Sequence, residues 1–285
     1  MKFYIIDCFA EEKYRGNELL VVLPDRNISD DEQQKIAREI NFSETVFIFP
    51  TDNSSDGYNI RIWTPTTGEV PFAGHPSLGA AYVIHNYIEN HENSKIILNT
   101  KVGQIPITVS DDIYTMKQNP PSFKTVIKKH QIAEIFQIND SDIRDDIPIQ
   151  WVSTGLEAVI IPLKTKNALN DVNINQDKFK AYVSSYPECN CNHMFFVDMG
   201  QNIFSARCIM EDFVEDPATG SAVGCMAGYL LKYNYFNADK ISYTVHQGEK
   251  LGRNSVLYVK AHKATNDTAI YVGGKCHTVA HGEWE

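Results

Sequence analysis

The sequence predicts an α/β (α+β) protein of two pseudo-symmetric halves, each a curved, mostly antiparallel sheet wrapped around a central apolar helix. Three observations lead there. The chain repeats itself: with Arg61 set on Arg207, Glu69 falls on Glu215, Pro71 on Pro217, Gly74 on Gly220 and Ala81 on Ala227, with no gap. Short apolar runs alternate with longer amphipathic stretches in the same order on both sides of the midpoint. Each half also contains one stretch of helical length that is apolar all round, at 78–84 and 222–231. A helix without a polar face must be surrounded by the rest of its domain.

Taken in order, the apolar runs at 3–9 and 19–23 read as strands. Ser29-Asp30-Asp31-Glu32 has the form of a capping box, in which a Ser side chain and a Glu three residues on satisfy each other's free amides. It opens a helix to about residue 40. Strands at 45–49 and 58–64 follow, then the first apolar helix over 75–87 and a strand pair, 95–99 with 105–110. The polar stretch 111–124, with Asn119-Pro120-Pro121, marks the boundary, so the halves are expected at 1–115 and 116–285. The second half repeats the pattern: strands near 150–152 and 158–162, a helix near 177–185, strands at 194–197 and 204–210. Its apolar helix runs over 221–235 and its closing strand pair is 240–244 with 256–260. Gly273-Gly274 reads as a strand turn, since no Lys-Ser/Thr follows to make a phosphate loop, and the last strand is free to return to the first half.

A chain of 285 residues, 43% of them hydrophobic, buries about three quarters of its unfolded surface and needs no disulfide or metal to hold it. With 26 basic and 36 acidic residues the formal charge is −10. That balance repels phosphate backbones and anionic bilayers, and no basic stripe offsets it, so neither nucleic acid nor a membrane is an expected partner. Charged and polar residues interrupt every apolar run well before about 18 residues. Met1-Lys2-Phe3-Tyr4-Ile5-Ile6-Asp7 is charged too soon for a signal peptide and reads as a strand. A cytoplasmic protein with its six cysteines reduced is expected, and triplets such as Asn53-Ser54-Ser55 then carry no glycosylation meaning.

Both apolar helices begin at Gly-containing turns, Pro71-Phe72-Ala73-Gly74-His75-Pro76-Ser77 and Asp216-Pro217-Ala218-Thr219-Gly220-Ser221-Ala222. The first amides of a helix lack internal partners and carry the positive end of its dipole. Gly at the entrance lets a ligand approach the backbone, and a carboxylate is the natural occupant. Two such ends related by pseudo-symmetry are expected to face one cleft and to bind a small carboxylate-bearing substrate without a basic patch.

Ile60-Arg61-Ile62-Trp63-Thr64-Pro65, Val70-Pro71-Phe72-Ala73-Gly74-His75-Pro76 and Glu215-Asp216-Pro217-Ala218-Thr219-Gly220-Ser221-Ala222 closely resemble the PhzF family of phenazine-biosynthesis isomerase-like proteins. Asp7 and Phe9, Gly16-Asn17, Ser43-Glu44-Thr45, Gln247-Gly248 and Gly252-Arg253 follow in that family's order. The resemblance spans almost the whole chain. It implies the diaminopimelate-epimerase-like fold, with the active site between the halves, and a homodimer. It also implies an isomerase that works without metal or organic cofactor. The family's acid/base glutamate falls on Glu44; His75, Asp216 and Ser221 match its other site residues, and Gly74 and Gly220 its helix-end amides, with Ser43 beside them as a binding residue. The founding enzyme moves a proton between ring carbons of trans-2,3-dihydro-3-hydroxyanthranilate. Such chemistry needs one group that both accepts and returns a proton, its pKa raised by burial. The apolar strand after Glu44 makes a desolvated carboxylate there plausible.

The same fold houses racemases and epimerases that use a pair of cysteines. Here the two entrances carry His75 and Asp216 to Ser221 with no Cys, so that reading is disfavoured. The rival from another class is a non-catalytic small-acid binding or scaffold protein on the same fold. Cys189-x-Cys191-x-His193 would place three ligands on one strand face, but no second ligand pair follows at zinc-like spacing, and Pro187-Glu188 suggests a surface turn. Arg61 and Arg207 read equally as anchors or as substrate ligands. Two departures from the family bear on the substrate: the segment after Gly16-Asn17 is Glu18-Leu19-Leu20, where the family commonly has a proline, and the helix entrance 75–77 reads His-Pro-Ser, where the founding isomerase type has Ala and Thr.

Overall fold

A computed structural model describes residues 1–51, 56–264 and 267–284; the Asn53-Ser54-Ser55 triplet lies outside them. The chain forms two compact units, residues 1–117 with 273–285, and residues 118–272.

The first unit contains β1 (Lys2–Cys8), β2 (Asn17–Leu23), α1 (Asp30–Ile40), β3 (Thr45–Ile48), β4 (Tyr58–Thr64), β5 (Gly68–Val70), α2 (Gly74–Val83), β6 (Lys95–Thr100), β7 (Gly103–Ser110) and β8 (Ile113–Gln118). In the second unit come β9 (Ser122–Ile127), α3 (Lys129–Phe136), β10 (Ile149–Ser153), β11 (Glu157–Pro162), α4 (Lys166–Asp171), α5 (Gln176–Ser185), β12 (Asn192–Asp198), β13 (Ile203–Ile209), β14 (Glu215–Asp216), α6 (Gly220–Lys232), β15 (Lys240–Gln247), β16 (Ser255–Ala264) and β17 (Asp267–Gly274). After Lys275 the chain returns to the first unit as β18 (Cys276–Glu283), antiparallel to β1.

The duplication read from the sequence recurs strand by strand. In the first unit β1–β2 is antiparallel, β2–β3 parallel, β3–β4 and β4–β5 antiparallel, β4–β6 parallel and β6–β7 antiparallel. The second unit gives the same series for β10–β11, β11–β12, β12–β13, β13–β14, β13–β15 and β15–β16. Each apolar helix is enclosed by its own unit: α2 packs on β1, β2, β3, β6, β7 and β18, and α6 on β10, β11, β12 and β16. Gly79 makes the first enclosure feasible. A Cβ there would stand 2.3 Å from Leu19 Cδ2 and 2.9 Å from the Cys8 sulfur, closer than any side chain tolerates. The opposite face of each sheet is covered by amphipathic helices, because successive strand residues point to opposite faces. Leu20, Val22, Phe47 and Trp63 pack under α1 with its Ala37, while Trp151, Val159, Ile161, Phe195 and Val197 pack under α3 and α5.

Ser29 caps α1, accepting from the Glu32 amide at 3.2 Å. The reciprocal half of the capping box is not made, because the Glu32 carboxylate turns to the Arg26 guanidinium instead. The polar stretch 111–124, read as the boundary, holds the whole of β8 and the start of β9, and the two units divide within it, after Lys117. Tyr114, Met116 and Gln118 point inward at alternate positions, and the sharp turn before them is made by Asp111 and Asp112, both with positive φ. The apolar Ile113 on the outward register, the polar Gln118 on the inward one and the Pro pair that follows hid that alternation. The first apolar helix also changes form at residue 84, where a single π-helical turn (Ile84–Ile88) closes it.

Arg61 and Arg207 are anchors. Arg207 donates from Nε and Nη2 to both carboxylate oxygens of Glu215, at 2.9 and 2.8 Å, and from Nη1 to the carbonyls of Leu169 and Val172. Arg61 forms the same two-pronged bond with Glu69, at 2.9 and 2.6 Å. Cys189, Cys191 and His193, read as following a surface turn, all point into the core below α5. Their apolar neighbours outweigh the local turn signal. His193 lies among the rings of Phe136, Phe179 and Tyr182, and burial pushes its imidazole down to about 4, so it sits there neutral.

Candidate active site

In the first unit the site begins where α1 ends. Asn41, in the left-handed conformation, closes the helix, and Ser43-Glu44 lead into the fully buried Thr45 of β3. Phe47 belongs to the core under α1, so by alternation Glu44 and Val46 face α2. His75 is the second residue of α2, whose entrance is fixed by the extended Ala73 and whose first turn contains no acidic residue. The result is a contact of 3.5 Å between Glu44 Oε2 and His75 Nε2, with the two side chains 20% and 9% exposed. That Oε2 is buried and accepts no hydrogen bond. Burial pushes the Glu44 carboxyl above the ordinary glutamate range, and the hydrogen bond from Ser43 only partly counters it. A carboxylate so placed is a stronger base than one in water and has a free lone pair to use. Beside it, Gly74 opens α2 with room to spare, since an added Cβ would meet only the Met116 methyl at 3.9 Å. Ala73 has no side-chain oxygen, so no side chain caps the first turn of this helix.

The second unit gathers Asp216, Gly220 and Ser221. Asp216 ends β14 opposite Cys208, and its Oδ2 accepts a 2.5 Å hydrogen bond from the Thr219 hydroxyl. Thr219 is the N-cap residue of α6, yet no side chain caps this helix and its first turn has no acidic residue. The first intrahelical bond is Val223 N to Thr219 O, which leaves the amides of Gly220, Ser221 and Ala222 directed out of the helix end.

The predicted residues therefore fall into two groups: Ser43, Glu44, Gly74 and His75 within the first unit, and Asp216, Gly220 and Ser221 within the second. Sequence reasoning noted Gln247-Gly248 in the family's order but gave Gln247 no role, and it is this residue that supports the second group. Gln247, at the end of β15 and 1% exposed, bonds Thr219 and the Asp216 backbone. One sign was available, since the repeat sets Thr219 on Ala73 and so places a hydroxyl at the cap position of one helix only. Thiol chemistry finds no support here. Burial pushes the Cys8 and Cys208 thiols well up and Cys225 to about 11, so none of these three is a thiolate at neutral pH.

The family of phenazine biosynthesis-like proteins (PhzC–PhzF) matches this chain over residues 6–282. An uncharacterized isomerase of Clostridium acetobutylicum is 34% identical over 271 residues, which is 90% of this chain and 88% of the relative. The trans-2,3-dihydro-3-hydroxyanthranilate isomerase of Pseudomonas chlororaphis is 28% identical, with 98% of each chain covered. Among solved structures, a PhzF-family protein of Bacillus anthracis superposes with a TM-score of 0.89 over 100% of this chain and 99% of its own, at 24% identity, which speaks to the fold.

Proposed function

The chain belongs to the family of phenazine biosynthesis-like proteins, and from that premise we propose that it is an isomerase which shifts a proton on a small carboxylate-bearing molecule, with Glu44 as the proton carrier. The observation that carries this reading is the desolvated Glu44 carboxylate, its Oε2 free and 3.5 Å from His75. Glu44 takes a proton from one substrate carbon and returns it to another. A single carboxyl serves both directions, taking the proton as a base and returning it as an acid, and its burial makes the base form more avid for a proton than it is in water. His75 hydrogen-bonds a polar group of the substrate or relays the proton. In the second unit Asp216 assists, and the amides of Gly220 and Ser221, with the Ser221 hydroxyl, bind the substrate carboxylate.

The test is exchange with solvent. The protein is incubated in heavy water with a panel of small unsaturated and hydroxylated carboxylic acids, among them trans-2,3-dihydro-3-hydroxyanthranilate, the compound named for the P. chlororaphis relative. Proton spectra are followed over time. Deuterium entering a carbon position of at least one acid is the expected result. Ligands that raise the melting temperature while no carbon-bound proton exchanges in any of them would mark a binding protein and overturn the isomerase reading.

A further inference from the structure

A threonine at the first position of a helix normally turns its hydroxyl back to accept from the second or third amide. Thr219 does not. Its hydroxyl donates to Asp216 Oδ2 and accepts from Gln247 Nε2 at 3.0 Å, and its backbone amide is held by Gln247 Oε1 at 3.3 Å. Gln247 Nε2 also donates to the Asp216 carbonyl at 2.8 Å. The side chain of Gln247 thus engages both ends of the Asp216–Thr219 turn from a buried position. The next residue fixes how close it can come. Gly248 has φ +78°, and a Cβ there would stand 2.7 Å from the Pro217 carbonyl oxygen and 2.4 Å from that of Arg253.

From this geometry we propose that Gln247 is a positioning residue that keeps the entrance of α6 uncapped, aiming the Thr219 hydroxyl at Asp216 and away from the amides of Ser221 and Ala222. The first half needs no such device, because Ala73 holds the equivalent place and has no hydroxyl to divert. The inference rests on the reading that these amides bind a carboxylate. Its consequence is a division of labour: Gln247 governs access to the amides, and the Thr219 hydroxyl governs the orientation of Asp216.

Two readouts test it on the full-length protein. The first needs no activity: hydrogen exchange of the Ser221 and Ala222 amides, and titration of those amides with acetate followed by NMR. In Gln247→Leu the released hydroxyl turns to cap the helix, so exchange of the capped amide slows and acetate affinity falls, each by about five- to tenfold. Thr219→Val has no hydroxyl to turn and keeps the parent's acetate affinity within about twofold. The double variant Thr219→Val/Gln247→Leu regains that affinity. The second readout uses the acid identified by deuterium exchange. Gln247→Leu raises KM and also lowers kcat, since the hydroxyl that turns to the amides leaves Asp216; Thr219→Val lowers kcat with KM unchanged, and Thr219→Ser, which keeps the hydroxyl, restores kcat. Gln247→Met serves where the Leu variant does not fold. Parent-like amide exchange in folded Gln247→Leu or Gln247→Met overturns the proposal, as does a double variant that regains nothing. A parent protein that binds no acetate counts against the carboxylate reading alone, and amide exchange then decides the role of Gln247.

Discussion

Replacing Glu44 by Gln is expected to slow solvent deuterium exchange into substrate by about 10³-fold, the scale on which a positioned general base contributes, while the fold is kept. Gln has the same length and can still accept from Ser43, so substrate binding should change little and the loss should appear in kcat. Stability gives a control of opposite sign. Glu44 is held above its ordinary pKa chiefly by burial, so the folded state binds a proton more tightly than the unfolded chain does. Above the folded pKa the buried ionised carboxylate therefore costs stability. A neutral Gln removes that cost, and the melting temperature at neutral pH should be equal to or higher than the parent's. Loss of exchange together with a lower melting temperature would point to damage rather than to a lost base. Exchange at the parent's rate would remove Glu44 from the reaction.

The largest stability effect is expected from the duplicated ion pairs, and it should be unequal. Arg207→Met leaves Glu215, only 11% exposed, without its guanidinium. It also removes the donor held by the Leu169 and Val172 carbonyls. Breaking one side of a buried pair typically costs about 3–5 kcal/mol, since the remaining charge stays buried. Arg61 is 27% exposed, and its partner Glu69 keeps a second cation in Lys101 at 2.5 Å. Arg61→Met should therefore cost about 1 kcal/mol or less. Urea denaturation of both variants measures the difference, and equal losses would show that the repeat-related pairs do the same structural work.

Much of the fold was legible because duplication writes its evidence twice. Identities such as Glu69 with Glu215 lie on the β4–β5 and β13–β14 hairpins, where each Glu meets its Arg across the turn. The all-apolar helices were readable because a missing polar face is a local property. What sequence alone does not carry is pairing at a distance. The last strand could be expected to return to the first half, but its partner β1, about 280 positions away, could not be read; β8 was hidden because its alternation is imperfect, with the apolar Ile113 on the outward register and the polar Gln118 on the inward one. The site shows the same division. Glu44, His75, Asp216 and the glycines could be placed by motif. Burial of the Glu44 oxygen depends on α2 packing across it, and the Gln247–Thr219 bonds span 28 residues. Neither leaves a local trace.

The central claim is that burial beside His75 makes Glu44 a carboxylate poised to take and return a proton. Labelling the glutamate side chains with ¹³C and following the Glu44 carboxyl through a pH titration, with Glu44→Gln to assign the signal, measures this in the free protein. Burial of the carboxyl should give a midpoint clearly above the ordinary glutamate value of about 4.3. A midpoint at or below that value would show a solvated carboxylate and contradict the claim.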